Sequence, residues 1–227
     1  MTTYFTPALF AFLRQLKSHN DREWFQARRP RFTTDVEAPM LRFIADAGPR
    51  LSGISRVVIA DPRRSGGSLY RIYRDTRFSA DKSPYKVNVA ASFSHEAKRD
   101  KKRALASVPG FYLHLEPGDS FGGGGIYHPD MPTLTRIRTA IVQNGKVWTA
   151  VKRTGIEIEG DRLSRAPAGF DPAHRFVEDL RFKDFYTLTS FSEEDVCAPD
   201  FLDRYIECCR ASAPLVGFVA KAMGLRW

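Results

Sequence analysis

The residues best suited by type and spacing to chemistry lie between positions 69 and 88. This stretch combines cationic side chains with carboxylates and tyrosines, namely Arg71, Arg74, Arg77, Lys82, Lys86, Asp75, Asp81, Tyr73 and Tyr85. Guanidinium groups offer paired donors that match a phosphate or carboxylate, and lysines add point charges. Because the cations outnumber the carboxylates, some of them have no partner nearby in the sequence. The stretch therefore predicts a binding site for a phosphorylated or other anionic small molecule.

Two other interpretations of this stretch stay open. Arginines and aspartates so close together also form salt-bridge networks that tie a loop to a sheet without meeting any ligand. Alternatively, Asp75 or Asp81 is a general base or a Mg²⁺ ligand, and the protein is a hydrolase or transferase acting on a phosphate ester. Arg28 and Arg29 are candidates to join the basic site, but a solvated helix face is the preferred interpretation for them.

Four consecutive glycines, Gly122–Gly125, are a second unusual feature. A backbone without side chains lets a ligand or another backbone approach closely, and its exposed amides bind anions. Gly123 and Gly124 are therefore candidate ligand contacts, as one wall of the basic site. The alternative is a thin or bulged strand. The segment lacks the spacing of a P-loop, so it predicts no nucleotide site.

Apart from the Mg²⁺ alternative for Asp75 or Asp81, the sequence predicts no metal site. Cys197, Cys208 and Cys209 form no Cys-x-x-Cys pair, and an odd number of cysteines fits a reducing cytosol better than a disulfide scaffold. His114 and Glu116 share one face of an alternating segment, where they could transfer protons or bind a metal. The preferred interpretation is the polar outer face of a sheet.

The elements that must position these residues follow from hydrophobic periodicity. Leu69–Arg74 and Val87–Phe93 alternate as strands do, with a turn between them, and predict a hairpin. Pro7 predicts the start of an N-terminal helix, and Asn20 with Glu23 the cap of a second one. The segment 199–223 is helical, and Pro214 is expected to divide it into two helices.

Helices at both ends around a set of strands predict an α+β fold with a central, mostly antiparallel sheet flanked by N- and C-terminal helices. We expect a single domain over residues 1–227, because the 227 residues with 43% hydrophobic content suffice for one sizeable core. No apolar run reaches the length of about 18 residues that a membrane span needs. The N-terminus lacks the pattern of a signal peptide, so the expected location is the cytoplasm.

The formal net charge is +9. A basic surplus permits nucleic-acid binding through backbone phosphates, although no nucleic-acid motif is present. The densest charged run, Lys98–Arg103, lies between two strand candidates and is expected to be an exposed loop.

The residue order from Arg71 to Lys86 resembles the family of bacterial and fungal proteins catalogued as domain of unknown function 2461. The resemblance extends over nearly the whole chain, through Asn20, Trp24, Phe25, residues 122–127, Gly160, Asp161, Pro167, Gly169 and Phe170. His19 and Phe32 stand where the family pattern has Asn and Tyr. The resemblance implies no catalytic residue, cofactor or oligomeric state, and it leaves both an enzyme and a binding protein open.

Overall fold

The computed structural model describes residues 2–99, 105 and 107–227. The chain begins with helices α1 (Pro7–Ser18), α2 (Arg22–Ala27) and α3 (Arg29–Phe32), a π-helical segment (Thr33–Glu37) and α4 (Ala38–Ser52). Strand β1 (Val89–Ser94), a 3₁₀ turn (Glu96–Arg99), β2 (Gly110–Leu115) and β3 (Ser120–Ile126) follow. The remainder contains α5 (Met131–Gln143), α6 (Gly145–Arg153), α7 (Val177–Leu180), β4 (Phe185–Phe191), α8 (Glu193–Cys197) and α9 (Phe201–Ala222).

The four strands form one antiparallel sheet in the order β1-β2-β3-β4. With helices before and after it in the chain, the predicted α+β class is confirmed. Within the described part of the chain, no helix is long and apolar enough to cross a membrane.

The N-terminal helix starts at Pro7 as predicted, and its apolar side chains at helical spacing are all buried: Leu9, Phe10, Phe12, Leu13 and Leu16. The predicted cap of the next helix is wrong by one residue. Asp21 is the N-cap of α2, and its carboxylate accepts a hydrogen bond from the Trp24 amide at 2.8 Å. Asn20 is thereby free to point away from the helix.

The glycine-rich strand β3 lies directly beneath α9. A Cβ atom built on Gly124 would come within 2.9 Å of both Ser212 and Val216 of that helix, and one on Gly122 within 3.1 Å of the Tyr205 ring. Glycine is needed here because the helix packs closer to the sheet than a side chain would allow. The glycines therefore form a thin strand, which was the alternative interpretation from the sequence.

The predicted division of the C-terminal helix at Pro214 is wrong. Helix α9 continues through Pro214, and its neighbours Ser212, Leu215 and Val216 are all buried. Proline removes one hydrogen bond from a helix, and here the packing on both sides of it offsets that loss.

Helix α9 contributes to two hydrophobic clusters. Phe201, Tyr205 and Ile206 in its first half pack with α1, α4 and the inner face of β1 and β2. Phe218 and Val219 in its second half pack with α5, α6 and the start of β4. A single domain stays a prediction, and a helix shared by both clusters supports it.

The predicted hairpin around residues 69–93 is present, but one of its arms is irregular. Residues 69–74 form isolated antiparallel bridges at Leu69–Ala91 and Tyr73–Tyr85 instead of a continuous strand. Backbone hydrogen bonds such as Lys86 N to Ile72 O, at 2.7 Å, connect the bridges. The arm is an edge segment beside β1. Of the charged run between β1 and β2, Lys98 and Arg99 lie in the 3₁₀ turn, and residues 100–103 lie outside the described residues.

Candidate functional site

Asn20 fastens the hairpin to the N-terminal helices. Its side-chain Nδ2 donates to the backbone oxygen of Tyr85 at 3.0 Å, and its Oδ1 accepts from the backbone nitrogen of Tyr85 at 3.0 Å. The Tyr85 ring is 1% exposed and stacks on Phe25 with 4.1 Å between ring centroids. Burial raises the pKa of the Tyr85 hydroxyl. Tyr85 therefore anchors the hairpin in the core.

A cavity of about 270 Å³ lies between this docked hairpin and the helical segment from α2 to the π-helix. We call it the basic pocket. Its apolar lining comes from both sides and consists of Phe25, Phe32, Leu69, Ile72 and Val89, and its polar lining consists of Arg29, Thr33, Glu37, Arg64, Tyr70, Arg71, Tyr73 and Asn88.

The basic pocket has an excess of positive charge. Of its three arginines, Arg64 pairs with Glu37, with Nε and Oε2 3.3 Å apart. Across the described residues, no carboxylate lies within ion-pair distance of Arg29 or Arg71. Glu37 is also the one carboxylate among the described lining residues. Two guanidinium groups thus remain available to an anion.

Most of the other predicted cations are used within the loop at the hairpin tip. Arg74 pairs with Asp81, and Arg77 donates to Asp75 at 2.7 Å. Lys82 Nζ donates to the backbone oxygen of Thr76 at 3.0 Å. These contacts join residues of the loop to one another, whereas the network considered from the sequence would tie the loop to the sheet.

Lys86 lies at the side of the hairpin, with its Nζ 5.2 Å from the centroid of the Tyr70 ring. Burial, followed by the nearby positive charge of Arg71, lowers the pKa of this lysine. Of the predicted ligand-binding side chains, Arg71 and Tyr73 line the basic pocket, and Lys86 lies next to it through Tyr70.

The two candidate catalytic carboxylates are both held by loop partners. Hydrogen bonds from the Ser83 hydroxyl and then from Arg74 lower the pKa of Asp81, and the Arg77 side chain lowers the pKa of Asp75. A general base works best when its pKa lies near the working pH, so this environment suits ion pairs better than proton transfer.

Gly123 and Gly124 do not line the basic pocket. Gly123 lies in the sheet opposite Tyr112 on one side and Leu188 on the other, and Gly124 is buried beneath α9. Strands β1 and β2 separate them from the hairpin edge. The expectation that these glycines form a wall of the basic site is therefore wrong, because β3 is an inner strand of the sheet and does not reach the pocket.

Sequence reasoning missed several contributors to the site. Arg64, Thr33 and Asn88 line the pocket, and Asn20 docks the hairpin. The one signal for Arg64 was its place in a loop rich in Pro, Gly and Arg before the hairpin. Arg29, considered from the sequence as a solvated residue, is exposed but also lines the pocket.

Fold and site together define an α+β protein with an antiparallel sheet, helices at both ends, and an aromatic-floored basic pocket beside the edge of that sheet. A family model described as conserved hypothetical protein (DUF2461) matches residues 8–218. The chain therefore belongs to this family, as the resemblance implied. No curated protein and no solved structure matches the chain.

Proposed function

We propose that the protein binds a small anionic molecule in the basic pocket. The observation that carries the proposal is the presence of Arg29, Arg64 and Arg71 around one cavity that contains a single described carboxylate. Guanidinium groups without an internal partner are the side chains that bind phosphate and carboxylate groups most readily.

The lining also indicates what else the ligand carries. Aromatic and aliphatic side chains form the floor, so the part of the ligand beyond its charge is apolar or aromatic. A volume of about 270 Å³ is close to the lower end of ligand pockets, about 300 Å³. The best fit is one small phosphate ester or carboxylate with a ring or short chain.

The polar residues have separate roles in this proposal. Arg71 and Arg29 bind the anion from opposite sides, since one belongs to the hairpin and the other to the helical segment. Thr33 and Asn88 supply neutral hydrogen-bonding groups. The Arg64–Glu37 pair crosses from the loop before the hairpin to the π-helix and holds the pocket together.

The test is isothermal titration calorimetry with 4-nitrophenyl phosphate and with inorganic phosphate. We expect Arg71→Ala to weaken binding of 4-nitrophenyl phosphate at least about tenfold, because a hydrogen bond to a charged group contributes about 1.5–3 kcal/mol. Arg77→Ala is the matched control, since Arg77 is an exposed hairpin arginine that pairs with Asp75 outside the pocket. Equal losses in the two variants, or no binding to the wild type, would overturn the proposal.

The same probe tests the alternative of a phosphate-ester hydrolase, because hydrolysis releases coloured nitrophenolate. Release that stops in Asp75→Asn or Asp81→Asn would support the enzyme. The ion pairs that hold both carboxylates make binding without turnover the function that the geometry supports better. A reducing, cytosolic setting belongs to the proposal as well, since all three cysteines are free thiols.

A further inference from the structure

A second group of chemically capable side chains lies at the turn between β2 and β3. His114, Glu116 and Asp119 each place one potential metal-binding atom within 4.8 Å of the other two. His114 Nε2 and Glu116 Oε2 are 3.2 Å apart. None of the three residues lines the basic pocket.

The sequence brings these residues together through two simple devices. Strand alternation in β2 buries Phe111, Leu113 and Leu115 and leaves His114 on the opposite face of the sheet. The tight turn that follows has Gly118 at a φ of +79° and a hydrogen bond from the Asp119 amide to the Glu116 oxygen at 3.1 Å. This turn returns Asp119 to the side of Glu116.

The imidazole of His114 is held in a fixed orientation. Its ring stacks on Phe121 with 4.7 Å between centroids and 5° between planes. Nδ1 lies 3.2 Å from the Tyr112 hydroxyl, which leaves Nε2 directed toward the Glu116 carboxylate. Metal-binding histidines are typically oriented in this way, by a hydrogen bond to the ring nitrogen that does not touch the metal.

The cluster combines two partly buried ligands with one exposed ligand, so an ion can reach the site from solvent and is then partly shielded from it. The side chains of His114 and Glu116 are 12% and 22% exposed, and Asp119 is exposed at the rim. Two ligands of a tetrahedral zinc ion, at about 2.1 Å from it, are about 3.4 Å apart. The 3.2 Å between His114 Nε2 and Glu116 Oε2 is close to that spacing, and the exposed Asp119 can rotate to complete it.

We propose that His114, Glu116 and Asp119 bind a divalent cation of the zinc class. One imidazole nitrogen and two carboxylate oxygens are ligands that Zn²⁺ accepts, whereas Mg²⁺ and Ca²⁺ prefer oxygen alone. Three protein ligands leave a further position for water or another ligand. The sequence-based expectation of no metal site rested on cysteine spacing and on two of these residues, before the turn added the third.

The test is calorimetric titration of the full chain with ZnCl₂, before and after addition of excess MgCl₂. We expect one tightly bound Zn²⁺ that Mg²⁺ does not displace, and affinity at least about tenfold lower in His114→Gln and in Asp119→Asn. His128→Gln is the matched control, because His128 also lies beside a carboxylate, Asp184 at 3.2 Å, but has no third ligand among the described residues. It should bind Zn²⁺ as the wild type does.

A second variant and an NMR measurement distinguish loss of the metal site from loss of folding. Asp119→Asn changes an exposed side chain to which no hydrogen bond is assigned within the described structure, so this variant should fold even where His114→Gln does not. In the wild type, the NMR signals of the His114 ring should move on addition of one equivalent of Zn²⁺. Unchanged affinity in both variants, an equal loss in His128→Gln, or displacement by Mg²⁺ would overturn the proposal.

Discussion

The side chain of Asn20 connects the N-terminal helices to the hairpin. Its amide group satisfies both backbone groups of Tyr85, which lies 65 positions later in the chain. The contact fixes the distance between the N-terminal helices and the hairpin, and the basic pocket lies in the space between them. A residue whose sequence context predicts a helix cap thus has a long-range structural role.

Replacing Asn20 by alanine should destabilise the protein by about 1–3 kcal/mol, because it leaves a donor and an acceptor of the buried Tyr85 without partners. Urea unfolding followed by circular dichroism measures the change. Asn144→Ala is the control, since Asn144 is exposed and its amide bonds only to Ala140 of its own helix end. A loss in Asn20→Ala no larger than in the control would show that the hairpin docks through its aromatic contacts alone.

For single residues, the sequence predicts which side chains are charged but not which arginine pairs with which carboxylate. The composition of residues 69–88 offered a ligand site and a salt-bridge network as alternatives, and the structure contains ion pairs at Arg74 and Arg77. Which arginine belongs to which group depends on the loop conformation, because Arg74 and Arg77 meet carboxylates within the loop whereas Arg71 points to the pocket. Arg64 and Asn88 reach the same cavity from separate segments, so no local pattern could connect them.

Among the elements, β3 and α9 depend on each other most directly. A methyl group on Gly124 would lie 2.7 Å from Phe111 Cδ1 and 2.9 Å from atoms of Ser212 and Val216. The helix cannot lie this close to a strand that has ordinary side chains. The close approach explains Gly122 and Gly124, whereas a Cβ atom on Gly123 or Gly125 would meet the backbone of β4 instead.

Gly124→Ala should therefore destabilise the protein by about 1–3 kcal/mol through overpacking. The measurement is again urea unfolding, made on Gly124→Ala, Val216→Ala and the double variant. If the clash with Val216 is the cause, the double variant is more stable than the sum of the single changes predicts, by about 0.5 kcal/mol or more. Strictly additive effects would mean that the clash with Val216 is not the cause and that the closer contact with Phe111 or a shift of the strand is.

Elements with one buried face were the easiest to predict. The alternation of Phe111, Leu113 and Leu115 in β2 was sufficient, because a sheet with one covered face requires that pattern. The edge segment 69–74 alternates as well, yet it forms only isolated bridges, and alternation alone does not distinguish the two cases. The continuity of α9 through Pro214 depends on packing from several distant elements, which local propensity does not contain.

For the molecule as a whole, the charge of +9 attracts any polyanion. Binding to nucleic acid through backbone phosphates loses affinity steeply with salt, because condensed counterions are released. A pocket ligand with one charged group should respond much less. Salt dependence therefore separates the two kinds of partner.

We expect the affinity for 4-nitrophenyl phosphate to fall by less than about threefold between 50 and 200 mM NaCl, since its contacts are few and local. A fluorescent single-stranded oligonucleotide should lose at least about tenfold over the same range. Titrations followed by calorimetry and by fluorescence anisotropy supply the two numbers. An oligonucleotide that stays bound at 200 mM NaCl and is unaffected by Arg71→Ala would point to a different basic surface.

The position of α9 in both hydrophobic clusters has a consequence for hydrogen exchange. If either cluster opens alone, it exposes the half of α9 that the cluster covers, while the other half stays bound in its own core. The backbone amides of Leu215 and Val216 lie where the two clusters meet, because Leu215 packs in the second cluster and Val216 in the first. Their protons exchange with solvent only when the protein unfolds completely, so their exchange rates report the global free energy of unfolding.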